Sequence, residues 1–374
     1  MRILVIASWY KSAKAPVRGS FIREQALALA RRGHDVSVAF VDPDSGSRPF
    51  AMERSRDNGL EQISIAARWP LHRVFGFYMP QPLVKRVRGL ITEIRPDVVH
   101  AHAVRPAGVI ATRAAADVGV PVVLTEHKKE LPTYWVTRHG WHQIRRAYES
   151  CARLFAVSQE HKGKLERYFP STQGRWDVAY NGVDTERFRI DPSRVPPGQG
   201  EARKILFLGG LEEAKGLATL LEALRRLPPS FVLTVAGPGA VESRVAALAG
   251  SDIVARIKTV GLVDRERVVA LMNSHDVLAV PSYIESFGLV CAEALACGIP
   301  VVATRCGGPE EIVREPFGEI VEPRDSNALA HALERVCNAL DRWAPESARA
   351  YIEQNFSLAG VAARLEREYQ AMLH

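Results

Sequence analysis

Glu285 and Glu293, with Ser-Phe-Gly-Leu-Val-Cys-Ala between them, stand where a buried strand gives way to a helix. The run Asp276-Val277-Leu278-Ala279-Val280 has the length and apolar content of an interior strand. Pro281-Ser282 ends it, and Phe287 to Cys297 reads as a helix stopped by Gly298. The amides of Phe287, Gly288 and Leu289 would then face outward at a helix N-terminus, where the dipole favours an anion and a glycine lets phosphate approach. Glu285 lies at the mouth of this turn and Glu293 two turns further in, about 12 Å away at a rise of about 1.5 Å per residue. That span suits sugar hydroxyls at one end, ribose hydroxyls at the other and phosphates between. Either glutamate alone reads equally as a solvated or ordinary helical residue.

Other turns carry complementary groups. Lys215 follows Leu206-Phe207-Leu208-Gly209-Gly210, a strand and a glycine turn, and a flexible ammonium there can neutralise a leaving diphosphate. Gly298 to Thr304 contains a second buried strand, followed by Gly307-Gly308-Pro309-Glu310-Glu311, in which proline after two glycines marks another helix start. Two such turns side by side line a crevice at the carboxyl ends of parallel strands, where open α/β sheets bind ligands. Gly237-Pro238-Gly239 follows the strand Phe231 to Ala236 and lacks the full dinucleotide fingerprint, so it reads as the floor of a nucleotide pocket rather than an NAD site. Gly19, in Pro16-Val17-Arg18-Gly19-Ser20, offers an amide to a phosphate or simply permits a tight turn, and no Walker lysine-serine pair follows it.

The elements that must hold these turns alternate in type. Ile3–Ala7, the amphipathic stretch Ser20 to Arg31 and Val36–Phe40 read as strand, helix and strand. Asp97–His100, Ala107 to Ala116 and Pro121 to Thr125 repeat the pattern, which predicts a doubly wound parallel sheet. Residues 191–202 are dense in breakers and read as a linker, after which the alternation restarts at Lys204–Leu208 and the helix Gly216 to Leu227. The 374 residues are too many for one ordinary core, so two domains are expected: 1–190, joined by a C-terminal helix 357–374 crossing back, and 203–356.

Composition narrows the class. A hydrophobic fraction of 47% with 24% charged residues is that of a globular protein. The apolar run Ile3 to Tyr10 is too short to span a bilayer and lacks a signal-peptide cleavage pattern, so a cytoplasmic location is expected. Cys151, Cys291, Cys297, Cys306 and Cys337 show no zinc spacing and read as free thiols. Residues 1–200 hold 31 Lys and Arg against 19 Asp and Glu, a balance that points to an anionic partner or to a solvated surface. Arg68 to Leu90 interleaves Trp69, Phe75, Phe77 and Tyr78 with Arg73, Lys85 and Arg86, a pattern suited to a membrane interface or to packing inward. No nucleic-acid-binding module is evident. Asp42-Pro43-Asp44 lies in a polar loop beside Ser45-Gly46-Ser47, where turn formation explains it better than metal binding.

Taken in order along the chain, these motifs resemble those of the retaining glycosyltransferases of family 4, which have the GT-B fold. The resemblance runs through Gly19, Arg32-Gly33-His34-Asp35-Val36, Asn181-Gly182-Val183-Asp184, Gly209 to Gly216, Gly237-Pro238-Gly239 and Pro281 to Glu311. It implies two Rossmann-like domains facing a cleft. By resemblance, His127 contacts a hydroxyl of the transferred sugar, and Val260-Gly261-Leu262 meets the nucleobase through backbone groups. The family places an arginine immediately after the first glycine of the Gly209 turn; Gly210 stands there instead, leaving the diphosphate to Lys215, backbone amides and Arg305.

The expected activity is transfer of a hexosyl unit from a nucleotide-diphosphate sugar, UDP- or GDP-linked, to a hydroxyl acceptor with retention and without a metal. The catalytic residues are His127, Glu285 and Lys215. The donor side comprises Gly19, Gly210, Lys215, Gly237, Gly261, Glu285, Phe287, Gly288, Leu289 and Glu293. The acceptor is expected against the basic first domain as an anionic or lipid-linked molecule, with peripheral membrane contact one reading of the basic-aromatic stretch. A sugar phosphorylase, a nucleotide-sugar epimerase of the same fold, and a catalytically idle binding subunit are the competing functions.

Overall fold

The computed structural model describes residues 1–12, 17–43, 45, 47–66, 81–128, 138–194, 198 and 201–373. The chain forms two compact units, Met1–Gly182 with Leu358–His374 and Val183–Ser357. The division thus falls before the breaker-rich stretch 191–202. The reason is local bonding: the Asp191 amide donates to Asn273 Oδ1 at 2.8 Å, and Arg194 Nη1 donates to the Gly298 carbonyl at 2.6 Å, which tie this segment to the second unit.

Among its described residues the first unit contains eight strands: β1 (Arg2–Ala7), β2 (Asp35–Asp42), β3 (Met52–Asp57), β4 (Leu60–Ala66), β5 (Val98–His102), β6 (Val122–Glu126), β7 (Arg153–Ala156) and β8 (Trp176–Val178). They lie in the order β3-β4-β2-β1-β5-β6-β7-β8, and only β3 runs antiparallel to its neighbour. Ile3, Leu4, Val5 and Ile6 are buried on both faces of β1, as expected where helices cover both sides of a parallel sheet. The strand order reverses between β1 and β5, so the loops after these strands flank the unit's switch point. The β3–β4 hairpin has no counterpart in the sequence expectations, because β3 is Met-Glu-Arg-Ser-Arg-Asp, polar after its first residue and exposed at the sheet edge. Charged side chains on such an edge discourage pairing with another chain.

Helix Ser20–Arg31 packs Ile22, Ala26 and Leu29 into a cluster that also receives Leu358, Val361, Ala362, Leu365 and Tyr369 from helix Leu358–Leu373. The C-terminal helix therefore completes the core of the first unit. Helix Val109–Ala115 starts two residues later than its apolar pattern suggests, behind a wide turn over residues 104–108.

Among its described residues the second unit contains six parallel strands, β9 (Arg203–Leu208), β10 (Phe231–Ala236), β11 (Ile257–Val260), β12 (Val277–Val280), β13 (Val301–Thr304) and β14 (Gly318–Val321), in the order β11-β10-β9-β12-β13-β14. Its switch point lies between β9 and β12. Those are the strands whose carboxyl ends carry Lys215 and Glu285.

Candidate functional site

The loops after β9 and β12 are locked together by glycine. Gly216 adopts φ 70°, and a Cβ there would stand 1.9 Å from the Pro281 carbonyl oxygen, so no other residue fits without displacing the β12 loop. The Tyr283 amide donates to the Ala214 carbonyl at 2.7 Å, and Thr219 Oγ1 lies 2.9 Å from Tyr283 Oη. This junction delivers Lys215, at the end of a short 3₁₀ turn, to Glu285: Nζ and Oε1 are 2.5 Å apart, and Ser282 Oγ donates to the same oxygen at 2.9 Å.

The Glu285 backbone is held from the other side. Its amide donates to the Cys306 carbonyl at 2.9 Å, and the Gly308 amide donates to the Glu285 carbonyl at 3.3 Å. The two strand-to-helix turns read from sequence are thus stitched through Glu285 itself. Arg305, the additional cation considered for the diphosphate, is half-exposed and bonded to Glu310 at 2.8 Å and Glu322 at 2.9 Å.

The helix carrying Glu293 spans Leu289–Ala296, two residues shorter at its start than the sequence pattern. Gly288 has φ 84°, a left-handed conformation that cannot belong to a right-handed helix. Phe287 precedes the helix and is buried, its ring 6.0 Å from that of Phe356. The outward amides therefore begin at Leu289, with Gly288 supplying the cap.

Glu293 is buried, and its Oε1 accepts from Arg265 Nη1 at 2.6 Å. The Arg265 guanidinium lies 4.6 Å from the centre of the Phe188 ring, a cation–π contact that fixes the arginine. The sequence reading missed Arg265 because Arg265-Glu266-Arg267 looks like a solvated helix start behind the Asp264 cap.

Two further turns, after β10 and β11, end beside this pair of loops. A Cβ on Gly237 would stand 1.8 Å from the Gly209 carbonyl oxygen, and the Gly237 amide lies 3.3 Å from the carbonyls of both Val260 and Gly261. Gly209, Gly237 and Gly261 thus form one floor at the ends of β9, β10 and β11. Gly261 faces open space, and a side chain at Gly210 would meet only the flexible Glu212 carboxylate.

In the first unit, His127 follows β6 and Gly19 ends the loop after β1. The Phe21 ring, 4.8 Å from the His127 ring, brings the two positions to the same end of the sheet. Gly19 has φ 67°, and a Cβ there would lie 2.6 Å from the Trp9 carbonyl oxygen, so the tight turn is structurally required. His127 Nε2 is 2.9 Å from His102 Nδ1, and His100 bridges Tyr369 Oη at 2.6 Å and Thr125 Oγ1 at 2.8 Å. Burial, then the neighbouring His100 and His161, push the His127 pKa down to about 3, against a hydrogen bond with Asn181 that raises it. The ring is neutral at pH 7 and serves as a hydrogen-bonding group rather than a cation.

Glu126 is the residue in this region that the sequence reading passed over. Its buried carboxylate accepts from the amides of Val104, His127 and Lys128 at 2.8, 3.0 and 3.0 Å, and from Tyr148 Oη at 2.8 Å. It fixes the backbone that presents His127. Among the described residues, no group of three or more His, Cys, Asp or Glu side chains converges as a metal site, and Asp44 lies outside the described residues.

Two parallel-sheet α/β units, with glycine turns and an acidic–basic pair at a switch point, define the GT-B class of glycosyltransferases. Comparison with known proteins identifies the family. A family model described as Glycosyltransferase Family 4 matches residues 19–187, and one described as Glycosyl transferases group 1 matches residues 191–355. The glycogen synthase of Mycobacterium tuberculosis strain H37Rv is 30% identical over 401 residues, covering 99% of this chain and 95% of that protein. A D-inositol 3-phosphate glycosyltransferase of Mycobacterium sp. strain JLS is 28% identical over 366 residues, with 89% of this chain and 80% of that protein covered. The solved structure of Anabaena Alr3699/HepE in complex with UDP-glucose superposes with a TM-score of 0.74 at 21% identity, covering 99% of this chain and 100% of that one. The chain belongs to glycosyltransferase family 4, and it is a transferase.

Proposed function

We propose that the protein transfers a hexosyl unit from a UDP- or GDP-linked sugar to a hydroxyl acceptor, with retention at the anomeric carbon. The observation that carries this reading is the Lys215–Glu285 pair at the β9–β12 switch point, above the floor of Gly209, Gly237 and Gly261. The Anabaena relative described with UDP-glucose supports a nucleotide-sugar donor. In this account Lys215 exchanges Glu285 for the diphosphate, and the freed carboxylate turns to the sugar hydroxyls. The leaving phosphate takes the acceptor's proton on the same face, and the protein positions the substrates and stabilises charge. His127, neutral and held by its backbone cradle, hydrogen-bonds a sugar hydroxyl. The hydroxyl acceptor is received by the basic first unit, whose charge favours an anionic or lipid-linked molecule, and the protein works in the cytoplasm, with peripheral membrane contact one reading of residues 68–90. Arg73 and the aromatic residues Trp69 to Tyr78 invoked for that contact lie outside the described residues, whereas Lys85 and Arg86 lie in the helix Gln81–Ile94. A thermal-shift screen of nucleotide sugars tests the donor, and at least one UDP- or GDP-sugar is expected to stabilise the protein while free sugars do not.

Glu293→Ala is expected to weaken donor binding roughly tenfold, more than Glu285→Ala, because ribose contacts act in the ground state whereas sugar orientation acts at transfer. Isothermal titration with the donor measures this. Donor dissociation constants unchanged by Glu293→Ala would remove the ribose assignment. Because Glu293 also pairs with Arg265, thermal unfolding of the same variant separates lost stability from lost affinity.

Transfer is expected to continue in excess chelator, since helix N-termini and Lys215 can take the diphosphate charge. Full loss of activity in chelator, restored by magnesium or manganese, would assign the diphosphate to a metal and reopen the Asp42 loop.

A further inference from the structure

We propose that the first unit carries a second anion site, a groove among its helices that takes a phosphate ester bearing hydroxyl groups. Helices Gln81–Ile94, Val109–Ala115 and Arg138–Ser150 enclose a groove of about 510 Å³, within the range of small-molecule sites. Among the described residues, its lining includes Arg113, Arg146, His139, His142 and Gln143, and no carboxylate.

The charge on this wall is uncompensated. Arginines nearby are paired: Arg88 with Asp117 at 2.8 Å and Arg145 with Glu149 at 3.7 Å. Among the described residues, the guanidinium groups of Arg113 and Arg146 have neither an ion-pair nor a hydrogen-bond partner. Two such cations in one concave surface focus positive potential into it, and their planar forks suit bidentate contact with phosphate oxygens.

The neighbouring polar groups refine the ligand. Gln143 Nε2 lies 2.8 Å from His139 Nε2, while Gln143 Oε1 is buried without a partner. A buried carbonyl oxygen of this kind calls for a donor, which phosphate oxygens do not supply and a hydroxyl on the same ligand does. The Thr112 and Ser150 hydroxyls cannot serve, since they donate to the carbonyls of Gly108 at 2.9 Å and Arg146 at 2.7 Å. The groove runs the length of these helices, from Gln81, Val109 and His139 at their N-terminal starts to Arg113, Arg146 and Ser150 toward their C-terminal ends. Neither Gly19 nor His127 is among the lining residues, so the groove does not rest on their assignment.

Glycerol phosphate is the simplest probe of this chemistry, and it occurs both free and as a lipid headgroup. Full-length protein would be titrated with glycerol 3-phosphate by calorimetry, and separately sedimented with vesicles of phosphatidylcholine containing phosphatidylglycerol or phosphatidylcholine alone. The Arg113→Gln/Arg146→Gln variant is expected to lose affinity about tenfold or more. A control of equal charge change outside the groove, Arg138→Gln/Arg167→Gln, is expected to lose less than about twofold. Loss confined to glycerol 3-phosphate assigns a soluble ligand, and loss confined to anionic vesicles assigns a headgroup. Absence of binding to both probes, or equal losses in the groove and control variants, would overturn the proposal.

Discussion

Lys215→Met lowers turnover by about 10²- to 10³-fold while leaving the fold and most of the donor affinity intact. This is the range observed when a preorganised group aimed at developing charge is removed. Lys215 has the geometry for that role: it sits on a 3₁₀ turn closed by Gly216, and its ammonium is poised on Glu285 at the mouth of the β9 and β12 loops. Arg305 is shared between Glu310 and Glu322, and Gly210 offers no charge. The loss should appear in kcat rather than in donor dissociation, because the diphosphate gains charge as the glycosidic bond breaks. Single-turnover kinetics on the variant, with circular dichroism as a control for folding, measure it. A variant with wild-type turnover would show that Lys215 serves only to pair Glu285.

The largest structural effect is expected from Gly216→Ala. The added methyl meets the Pro281 carbonyl oxygen at 1.9 Å and carries a left-handed backbone, so strain and overlap together destabilise the second unit by about 3 kcal/mol or more. Donor binding falls with it, because the displaced segment joins β12 to Glu285. Gly261→Ala is the matched comparison: nothing lies within 4 Å of its added carbon, and the change should cost little. Denaturant unfolding of both variants decides this. Equal midpoints would mean that the β9 and β12 loops are not locked in the way their contacts indicate.

Much of the second unit was legible because its site is built from local signals. Buried strands ending in glycine and proline announce turns, and the alternation of elements places those turns along one edge of a parallel sheet. Where sequence reasoning fell short, the missing information was conformational or tertiary. Apolar periodicity runs through Gly288 into Phe287 and cannot reveal the positive φ that starts the helix at Leu289. Arg265 and Glu126 are charged residues whose roles come from distant partners: Phe188 and Glu293 for the first, Val104 and Tyr148 for the second. The compact units divide after Gly182 rather than at the turn-rich 191–202, where Asp191 and Arg194 bond to Asn273 and Gly298 through tertiary contacts that composition does not reveal. Polar β3 carries no periodic signal at all.

The central claim is retaining transfer from a nucleotide sugar, and the anomeric configuration of the first-formed product tests it most directly. The α-linked donor selected by thermal shift would be incubated with a panel of hydroxyl and phosphate-bearing acceptors, with and without inorganic phosphate. The product's anomeric proton would be read by nuclear magnetic resonance during the first turnovers. The account predicts an α-linked product that forms without added phosphate and that diminishes in the Lys215→Met variant. A β-linked product, or sugar transfer that requires inorganic phosphate, would contradict it.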